Sequence, residues 1–440
     1  MAPDIAANRL SPDVLARNFA DAHPPLGDRQ AVIEAERCYA CYDAPCIEAC
    51  PTGIDIPGFI RKIATGNLAG SARTILESNI LGGSCARVCP TEILCEQACV
   101  RNTLDQKPLS IGALQRHATD WQMRQGRQPF VRAAATGRRI AVVGAGPAGL
   151  ACAHRLALHG NDVTVFDARP RAGGLNEYGI AAYKLPDDFA QREIDFLIAI
   201  GGITIETGRA LGRDFTLASL GAAYDAIFLG IGLAGVRALG IAGEQLGGVL
   251  NAVDFIETLR ASSGKDDVPV GRRVVVIGGG NTAVDAAVQA RRLGAEEVTL
   301  VYRRGVAQMS ATDVEREWAQ TNGVSIRCRA APARFHGVDG AVTAITFVQD
   351  TPDHDRGEFT LAADMVLKAV GQLFPPDPLD GALAVEDGRI RVDAHGRTSR
   401  AGVYAGGDCT KGEDLTVAAV RDGRDAAETI HADLASATGI

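Results

Sequence analysis

RRIAVVGAGPAGLACAHRLALHGNDVTVFD, residues 138–167, decides the fold of this chain. Residues 138–143 read as a short strand, basic and then rich in β-branched residues. They run straight into Gly144-Ala145-Gly146-Pro147-Ala148-Gly149. A helix pattern, LACAHRLALHG, follows, and then a second strand ending on Asp167, 23 residues past Gly144. Strand, G-x-G-x-x-G turn, helix, strand and acid are the parts of a dinucleotide-binding unit. Glycines permit the tight turn and let a pyrophosphate approach the helix N-terminus, while Asp167 can accept hydrogen bonds from a ribose.

A second copy begins at Arg272. RRVVVIGGGNTAVDAAVQARRLGAEEVTLVYRR supplies a strand, Gly278-Gly279-Gly280-Asn281-Thr282-Ala283, a helix and another strand. Ala283 replaces the third glycine of the fingerprint, which the motif tolerates. No acid ends the second strand; Tyr302, Arg303 and Arg304 stand there instead. Arginines at this point suit a 2′-phosphate and tilt the local chemistry toward NADP. Two solvated arginines are the plainer alternative, and it stays open here.

Two such folds in one chain suggest a flavin in one and a nicotinamide in the other. The C-terminal stretch VYAGGDCTKGEDLTVAAVRDGRDAA supports this, with a strand ending at Gly406-Gly407-Asp408 and a helix starting near Thr416. Asp408 can bind the ribityl–phosphate region, and the helix dipole at Thr416 can stabilise negative charge on a reduced flavin.

Outward from the nucleotide folds, eight of the 11 cysteines lie between Cys38 and Cys99. Cys38, Cys41, Cys46 and Cys50 run C-x2-C-x4-C-x3-C-P; Cys85, Cys89, Cys95 and Cys99 run C-x3-C-P-x5-C-x3-C. The first run resembles ferredoxin spacing, in which three cysteines hold one [4Fe–4S] cluster and the fourth reaches another. Zinc is the alternative, but a zinc ribbon usually shows two C-x2-C knuckles and one occurs here. Between the runs, IPGFIRKIATGNLAGSARTILESN has apolar residues at helical spacing. The expected fold class is therefore α/β: two Rossmann-like nucleotide-binding domains, for FAD and NAD(P), with an N-terminal α-helical iron–sulfur domain. The expected boundaries are 1–130 for the helical domain with two clusters, 131–235 with 374–440 for the FAD domain, and 236–373 for the NAD(P) domain.

Composition agrees with this plan. At 440 residues the chain has room for about three domains. Its 50 glycines exceed the roughly 7% of average chains, as close backbone approach to phosphates requires. A net charge of −8 argues against a nucleic-acid partner. The start lacks a signal-peptide pattern, and the longest apolar stretch, near 226–235, is too short for a bilayer. A cytoplasmic protein with no membrane partner is expected, so its clustered thiols read as metal ligands rather than disulfides. Cys152, Cys328 and Cys409 are isolated, so no C-x-x-C disulfide exchange is expected in the nucleotide domains.

These residues carry a resemblance to the glutamate-synthase small-subunit group of flavoproteins. Within it the chain looks most like the N-terminal part of dihydropyrimidine dehydrogenases, and especially the small, NAD-linked subunit of the bacterial two-subunit form. The resemblance covers nearly the whole chain: the cysteine head, ARTILESNILGGSCARVCPTEILCEQAC, IGALQRHATD, GAGPAG with RAGGL, GGGNTAVD, VYRRG and AGGD. It implies that Cys38, Cys41, Cys46 and Cys99 hold one [4Fe–4S] cluster. Cys50, Cys89 and Cys95 would hold the other with Gln115 as fourth ligand, leaving Cys85 over. The FAD contacts implied are Gly144, Ala145, Gly146, Gly149, Asp167, Gly174, Leu175, Lys184, Gly407, Asp408 and Thr416, with Lys184 a flavin-side charge and candidate catalytic residue. Those for NAD(P) are Gly278, Gly280, Asn281, Thr282, Arg303, Arg304, Ala369 and Gly371.

One departure bears on the cofactor. NADPH-using members carry a further arginine seven residues after the first of the pair, and that position is Ser310. The arginines and Ser310 point opposite ways; NAD(H) is favoured because the bacterial two-subunit form is NAD-linked, with NADP(H) left open. The resemblance further implies that this chain feeds electrons to an FMN- and [4Fe–4S]-containing pyrimidine-reducing subunit in a heteromer, a heterotetramer. The chain has no room for the barrel that holds FMN and the pyrimidine. The alternatives are a glutamate synthase small subunit, a stand-alone NAD(P)H:ferredoxin-type oxidoreductase and, from another class, a zinc-headed redox-sensing interaction module.

Overall fold

A computed structural model describes residues 4–350 and 356–436; the outermost ends of the first and last expected segments lie outside the described residues. The chain divides into two compact units. One combines the residues up to Ala22 with Tyr178–Pro186 and Val236–Gln372; the other holds His23–Glu177, Asp187–Gly235 and Leu373–Ile440.

In the second of these units the cysteine head is a cage of short helices: α1 (Asp28–Glu36), α2 (Ile56–Ala64), α3 (Leu68–Ser78), α4 (Gly82–Val88) and α5 (Ile111–Arg124). The apolar stretch expected to be helical is two helices, because Asn67 caps α3 by accepting from the Gly70 N–H at 2.9 Å. Phe59, Ile60, Ile63, Ile75 and Leu114 close a core that also includes Cys95 and Cys99.

The head packs with the first nucleotide fold in one unit. That fold comprises β1 (Arg139–Val143), α6 (Pro147–Leu158), β2 (Asp162–Asp167), α7 (Phe189–Ile198), β3 (Ile203–Thr207) and β4 (Ala226–Leu229). The chain leaves this sheet after β4 and returns to it near its end.

The other unit is built on β5 (Val249–Asn251), β6 (Arg273–Gly278), α8 (Asn281–Arg292), β7 (Glu297–Tyr302), α9 (Asp313–Thr321) and β8 (Val324–Cys328). An antiparallel trio follows, β9 (Ala330–Val338), β10 (Ala341–Asp350) and β11 (Arg356–Ala362), before β12 (Met365–Ala369). The parallel sheet of this unit is ordered β5-β12-β6-β7-β8. The return to the first fold supplies β13 (Val403–Ala405) and α10 (Thr416–Ser436), giving a parallel sheet β13-β4-β1-β2-β3. The central strands of both sheets, such as β4 and β6, are buried and apolar, as parallel sheets covered by helices require.

Two placements differ from a simple three-way cut. Ile5, Leu15 and Phe19 pack into the core of the second fold, not with the cysteines. Residues 178–186 also belong to that unit, although they fall in the middle of the first fold's sequence. Among the described residues no helix is long and apolar enough to cross a membrane.

Candidate cofactor sites

At the first loop the backbone explains each glycine. Gly144 has φ +102, and a methyl group there would sit 2.3 Å from Gly230 O. At Gly149 it would lie 1.8 Å from Gly144 O, so only glycine lets α6 approach β1. Gly146 has open space up to the Gly174 Cα at 3.8 Å, and the α6 N-terminus carries no side-chain cap. Its free amides therefore suit an anion such as a pyrophosphate. Asp167 closes the loop: Oδ2 accepts from the Ala145 N–H at 2.6 Å and Oδ1 from the Arg169 N–H at 2.8 Å. Burial holds its carboxyl above the usual range, with those two amides opposing. Each oxygen keeps a lone pair for a ribose hydroxyl.

Gly173 donates to Ala145 O at 2.8 Å, which brings Gly174 and Leu175 against the same loop. Thr416, at the start of α10, reaches this side by donating to Asn176 Oδ1 at 3.1 Å. Gly407 has φ +74 and donates to Asp422 Oδ2 at 3.1 Å. Asp408 is pushed up to about 6, by burial first and by Asp414 next, against the pull of Arg389. Arg389 ties this corner by donating to Asp408 O and pairing with Asp414 at 2.9 Å. Arg389, Asp422 and Asn176 carry no signature in the sequence, because their partners, the Asp408 carbonyl, the Gly407 amide and the Thr416 hydroxyl, come within reach only in the folded turn.

The second loop is built on the same turn with different contacts. Gly278 has φ +156, and a methyl group there would meet Ala369 O at 2.4 Å, so Ala369 flanks the loop; Gly371, two residues on, has φ +101 and open space around it. Gly279 is needed because the Tyr302 ring stands 2.5 Å from where its Cβ would be. The α8 N-terminus is again uncapped at Gly280, and Thr282 sits in its first turn. Asn281 Oδ1 is buried without a hydrogen bond, the kind of acceptor a bound ligand would complete. Arg303 and Arg304 are exposed and form no salt bridge among the described residues; Arg304 lies over the Tyr302 ring, 5.6 Å from its centroid. Ser310 Oγ stands 3.1 Å from the Cβ position of Gly280, so the serine singled out by sequence lies at the loop itself.

Lys184 is placed differently from a free charge beside a flavin. Its Nζ sits 2.8 Å from Asp285 Oδ1 and 2.5 Å from Glu315 Oε1, all three in the unit of the second fold. Burial lowers its pKa, but the two carboxylates outweigh this and hold the ammonium charged. Compensation of a buried cation by two acids is a structural role, and it leaves little charge to offer elsewhere.

In the head all eight cysteines are free thiols. Cys38 lies in the field of Cys41 and Cys99, and Cys46 in that of Cys38, Cys99 and Cys41. Cys89 is hydrogen-bonded to Cys85 and lies near Cys95 and Cys50. The thiols thus gather around Cys38 and around Cys89, with Cys85 beside Cys89, and the two groups meet where Cys46 lies near Cys95. Burial pushes Cys46 up to about 12 and raises Cys38 and Cys95. A bound metal centre beside such thiols would favour their thiolate form, and soft thiolates suit zinc and iron–sulfur clusters alike. Among the described residues no three His, Cys, Asp or Glu side chains are drawn together around a single metal ion. Gln115, 8% exposed, donates from Nε2 to Gly82 O at 2.7 Å, leaving Oε1 as its remaining donor atom to a metal.

Glu193 was not legible in the sequence. This buried α7 carboxylate accepts from the Gly83 N–H at 2.8 Å and the Ser84 N–H at 3.0 Å, and bonds the Ser84 hydroxyl. It pins α4, which carries Cys85 and leads to Cys89, onto α7 of the first nucleotide fold in the same unit. Burial pushes its carboxyl up to about 7 against those donors.

A family model described as pyridine nucleotide-disulphide oxidoreductase matches residues 138–423. One described as dihydropyrimidine dehydrogenase domain II, 4Fe-4S cluster, matches residues 15–127. The chain is 37% identical over 404 residues to the NAD-dependent dihydropyrimidine dehydrogenase subunit PreT of Salmonella typhimurium, covering 91% of this chain and 94% of that protein. It is 34% identical over 445 residues to the glutamate synthase [NADPH] small chain of Azospirillum brasilense, covering 94% and 92%. Among solved structures, Mycobacterium tuberculosis FprA in complex with NADPH matches with a TM-score of 0.57 at 22% identity, over 69% of this chain and 85% of that one, a likeness of fold. With its nucleotide loops, its thiol-rich head and these matches, the chain belongs to the pyridine nucleotide-disulphide oxidoreductase family, in the group of dihydropyrimidine dehydrogenase small subunits and glutamate synthase small chains, and is an oxidoreductase using FAD, NAD(P) and [4Fe–4S] chemistry.

Proposed function

We propose that this chain is the electron-input subunit of a dihydropyrimidine dehydrogenase. It passes electrons between NAD(H) and FAD, and via two [4Fe–4S] clusters to an FMN-containing partner that interconverts uracil or thymine and 5,6-dihydropyrimidines. The observation that carries this reading is the 37% identity to a PreT subunit across 94% of that protein. The thiol-rich head and the flavin loop share one compact unit, which supports it.

The FAD pyrophosphate would lie on the Gly144–Gly149 turn at the α6 N-terminus, with Asp167 on the ribose and Asp408 and Thr416 at the ribityl and ring end. Gly278, Gly280, Asn281 and Thr282 would hold the nicotinamide dinucleotide, with Ala369 and Gly371 on its flank. When bound, the flavin takes two electrons together and hands them on singly, and the clusters carry them one at a time. Cys38, Cys41, Cys46 and Cys99 would hold one cluster, and Cys50, Cys89, Cys95 and Gln115 the other. Fixing Gln115 through its amide nitrogen presents the oxygen. The two uncapped helix N-termini bind and orient the dinucleotides, and no side chain of this chain is asked to move a proton. The partner completes a heterotetramer, working in the cytoplasm, where free thiols persist.

The test is purification alone and with an FMN-containing partner, followed by NADH-dependent uracil reduction. Activity only with both chains, and about eight irons for two four-iron clusters, is the expected result. About four irons would remove the Gln115 site, and zinc without iron would remove the relay. The glutamate synthase reading is favoured by the Azospirillum relative; activation of a glutamate synthase large subunit, with no response from a pyrimidine-reducing partner, would establish it instead.

A further inference from the structure

Away from both glycine loops, the unit that holds the cysteine head and the first fold contains a cavity of about 270 Å³. One face of α6 forms its floor, with Ala151, His154, Arg155 and Leu158 at i, i+3, i+4 and i+7. The end of α3, the segment around Phe130, and Val420 and Arg424 of α10 form the walls. Nothing in the electron relay uses these residues.

Three features give the cavity a chemical preference. Its lining is mixed: Leu76, Ile80, Phe130 and Val420 provide an apolar surface, three arginines provide positive charge, and exposed Glu77 provides one carboxylate against them. Two of those arginines are already engaged. Arg155 stands 3.4 Å from Glu428, and Arg424 donates to Asp425 at 2.8 Å and to two backbone carbonyls. Arg73 differs: it lies over the Phe130 ring, 5.2 Å from the centroid, donates to Pro129 O, and forms no ion pair among the described residues. Finally, His154, only 4% exposed and edge-on to Phe130, keeps a buried Nε2 with no hydrogen-bond partner. A neutral imidazole with an unused nitrogen beside an unpaired guanidinium matches a carboxylate, and the apolar walls match a flat hydrocarbon body.

We infer that this cavity is a binding site for a small aromatic carboxylate, its anionic group held by Arg73 and His154 and its ring seated against Phe130. The volume, just under the roughly 300 Å³ at which ligand sites begin, limits the occupant to a single-ring molecule. The site would also act at a distance. α6 starts on the flavin loop and α3 runs into α4 of the cysteine head, so an occupant would clamp together the elements on which both cofactor regions stand.

The test uses the holoenzyme and isothermal titration calorimetry with benzoate and with benzamide, its neutral counterpart. Benzoate should bind, and benzamide should bind more weakly by about tenfold or more, the worth of a charge-assisted contact. Arg73→Gln, at an exposed position, should weaken benzoate by a similar factor while flavin content and NADH oxidation stay unchanged. His154→Phe should abolish binding by filling the space; should it fail to fold, Arg73→Gln still decides. No benzoate binding, equal binding of benzamide, or indifference to Arg73→Gln would overturn the inference. Because the readout is binding, these results are independent of whether a pyrimidine-reducing partner exists.

Discussion

In the first nucleotide fold a methyl group at Gly149 would lie 1.8 Å from Gly144 O, whereas in the second the matching residue is already Ala283, fully buried. Four residues earlier in the loop the constraint is reversed. Ala145 is a buried methyl in the first fold, while Gly279 in the second must be bare because the Tyr302 ring fills the space beside it. Pairing of β1 with β2 and of β6 with β7 puts Asp167 and Tyr302 at the same place, the last residue of the second strand. An acid there folds back onto a loop amide; an aromatic ring covers the loop instead and sends the following arginines outward. The same turn is thus tuned for different dinucleotides by the residue that ends the neighbouring strand.

The sharpest way to break this comparison is to exchange the constraint. Gly149→Ala should leave a protein without bound flavin, since the overlap is with backbone and overpacking alone costs about 1–3 kcal/mol even where neighbours can yield. Ala283→Gly should cost only about 1 kcal/mol, the helix propensity difference, and keep its flavin. Flavin-to-protein ratios and urea midpoints of the two variants read this out, and equal losses would defeat the comparison.

Each unit also buries a charge in its own way. Lys184, in the unit of the second fold, is neutralised by two acids, so Lys184→Met should cost about 3–5 kcal/mol in urea unfolding by stranding Asp285 and Glu315. A variant of unchanged stability with a shifted flavin potential would instead return Lys184 to the flavin. Glu193, in the unit of the first fold, is held by amides and a hydroxyl, and burial prevails. A carboxyl whose folded pKa is raised adds stability that is complete below about 4.3 and fades as pH climbs through about 7. Wild-type stability should fall by about 1–3 kcal/mol between those limits, and Glu193→Gln should flatten that slope. Stability rising across the same window would show that the Ser84 and Gly83 donors prevail over burial.

The smallest effect expected is at the exposed arginines. Arg303→Ser should weaken NADPH by about tenfold or less, as for a partly solvated phosphate contact, and leave NADH nearly unchanged. Ser310→Arg should move preference toward NADPH, since Ser310 sits beside the Gly280 amide end. Steady-state KM values for both nucleotides check both variants.

Local pattern carried much of this architecture. Strand, glycine turn and helix are contiguous, so residues 138–167 and 272–304 declare two nucleotide folds from backbone sterics and hydrophobic period alone. Cysteine spacing likewise declares a metal-rich head, because thiolates a few residues apart must converge on something. What the residues could not declare depends on separation along the chain. Cys99 joins Cys38, Cys41 and Cys46, and Cys85 joins Cys89, Cys95 and Cys50, only after the head closes. Lys184 reads as part of the first fold until residues 178–186 cross to the other unit, where Asp285 and Glu315 neutralise it. Glu193 acquires a role only when the Gly83 and Ser84 amides reach it from 109–110 residues away. Periodicity and motif spacing report interactions within a turn or a strand pair; compensation of a buried charge is set by whichever groups packing brings within reach, and that belongs to the tertiary fold.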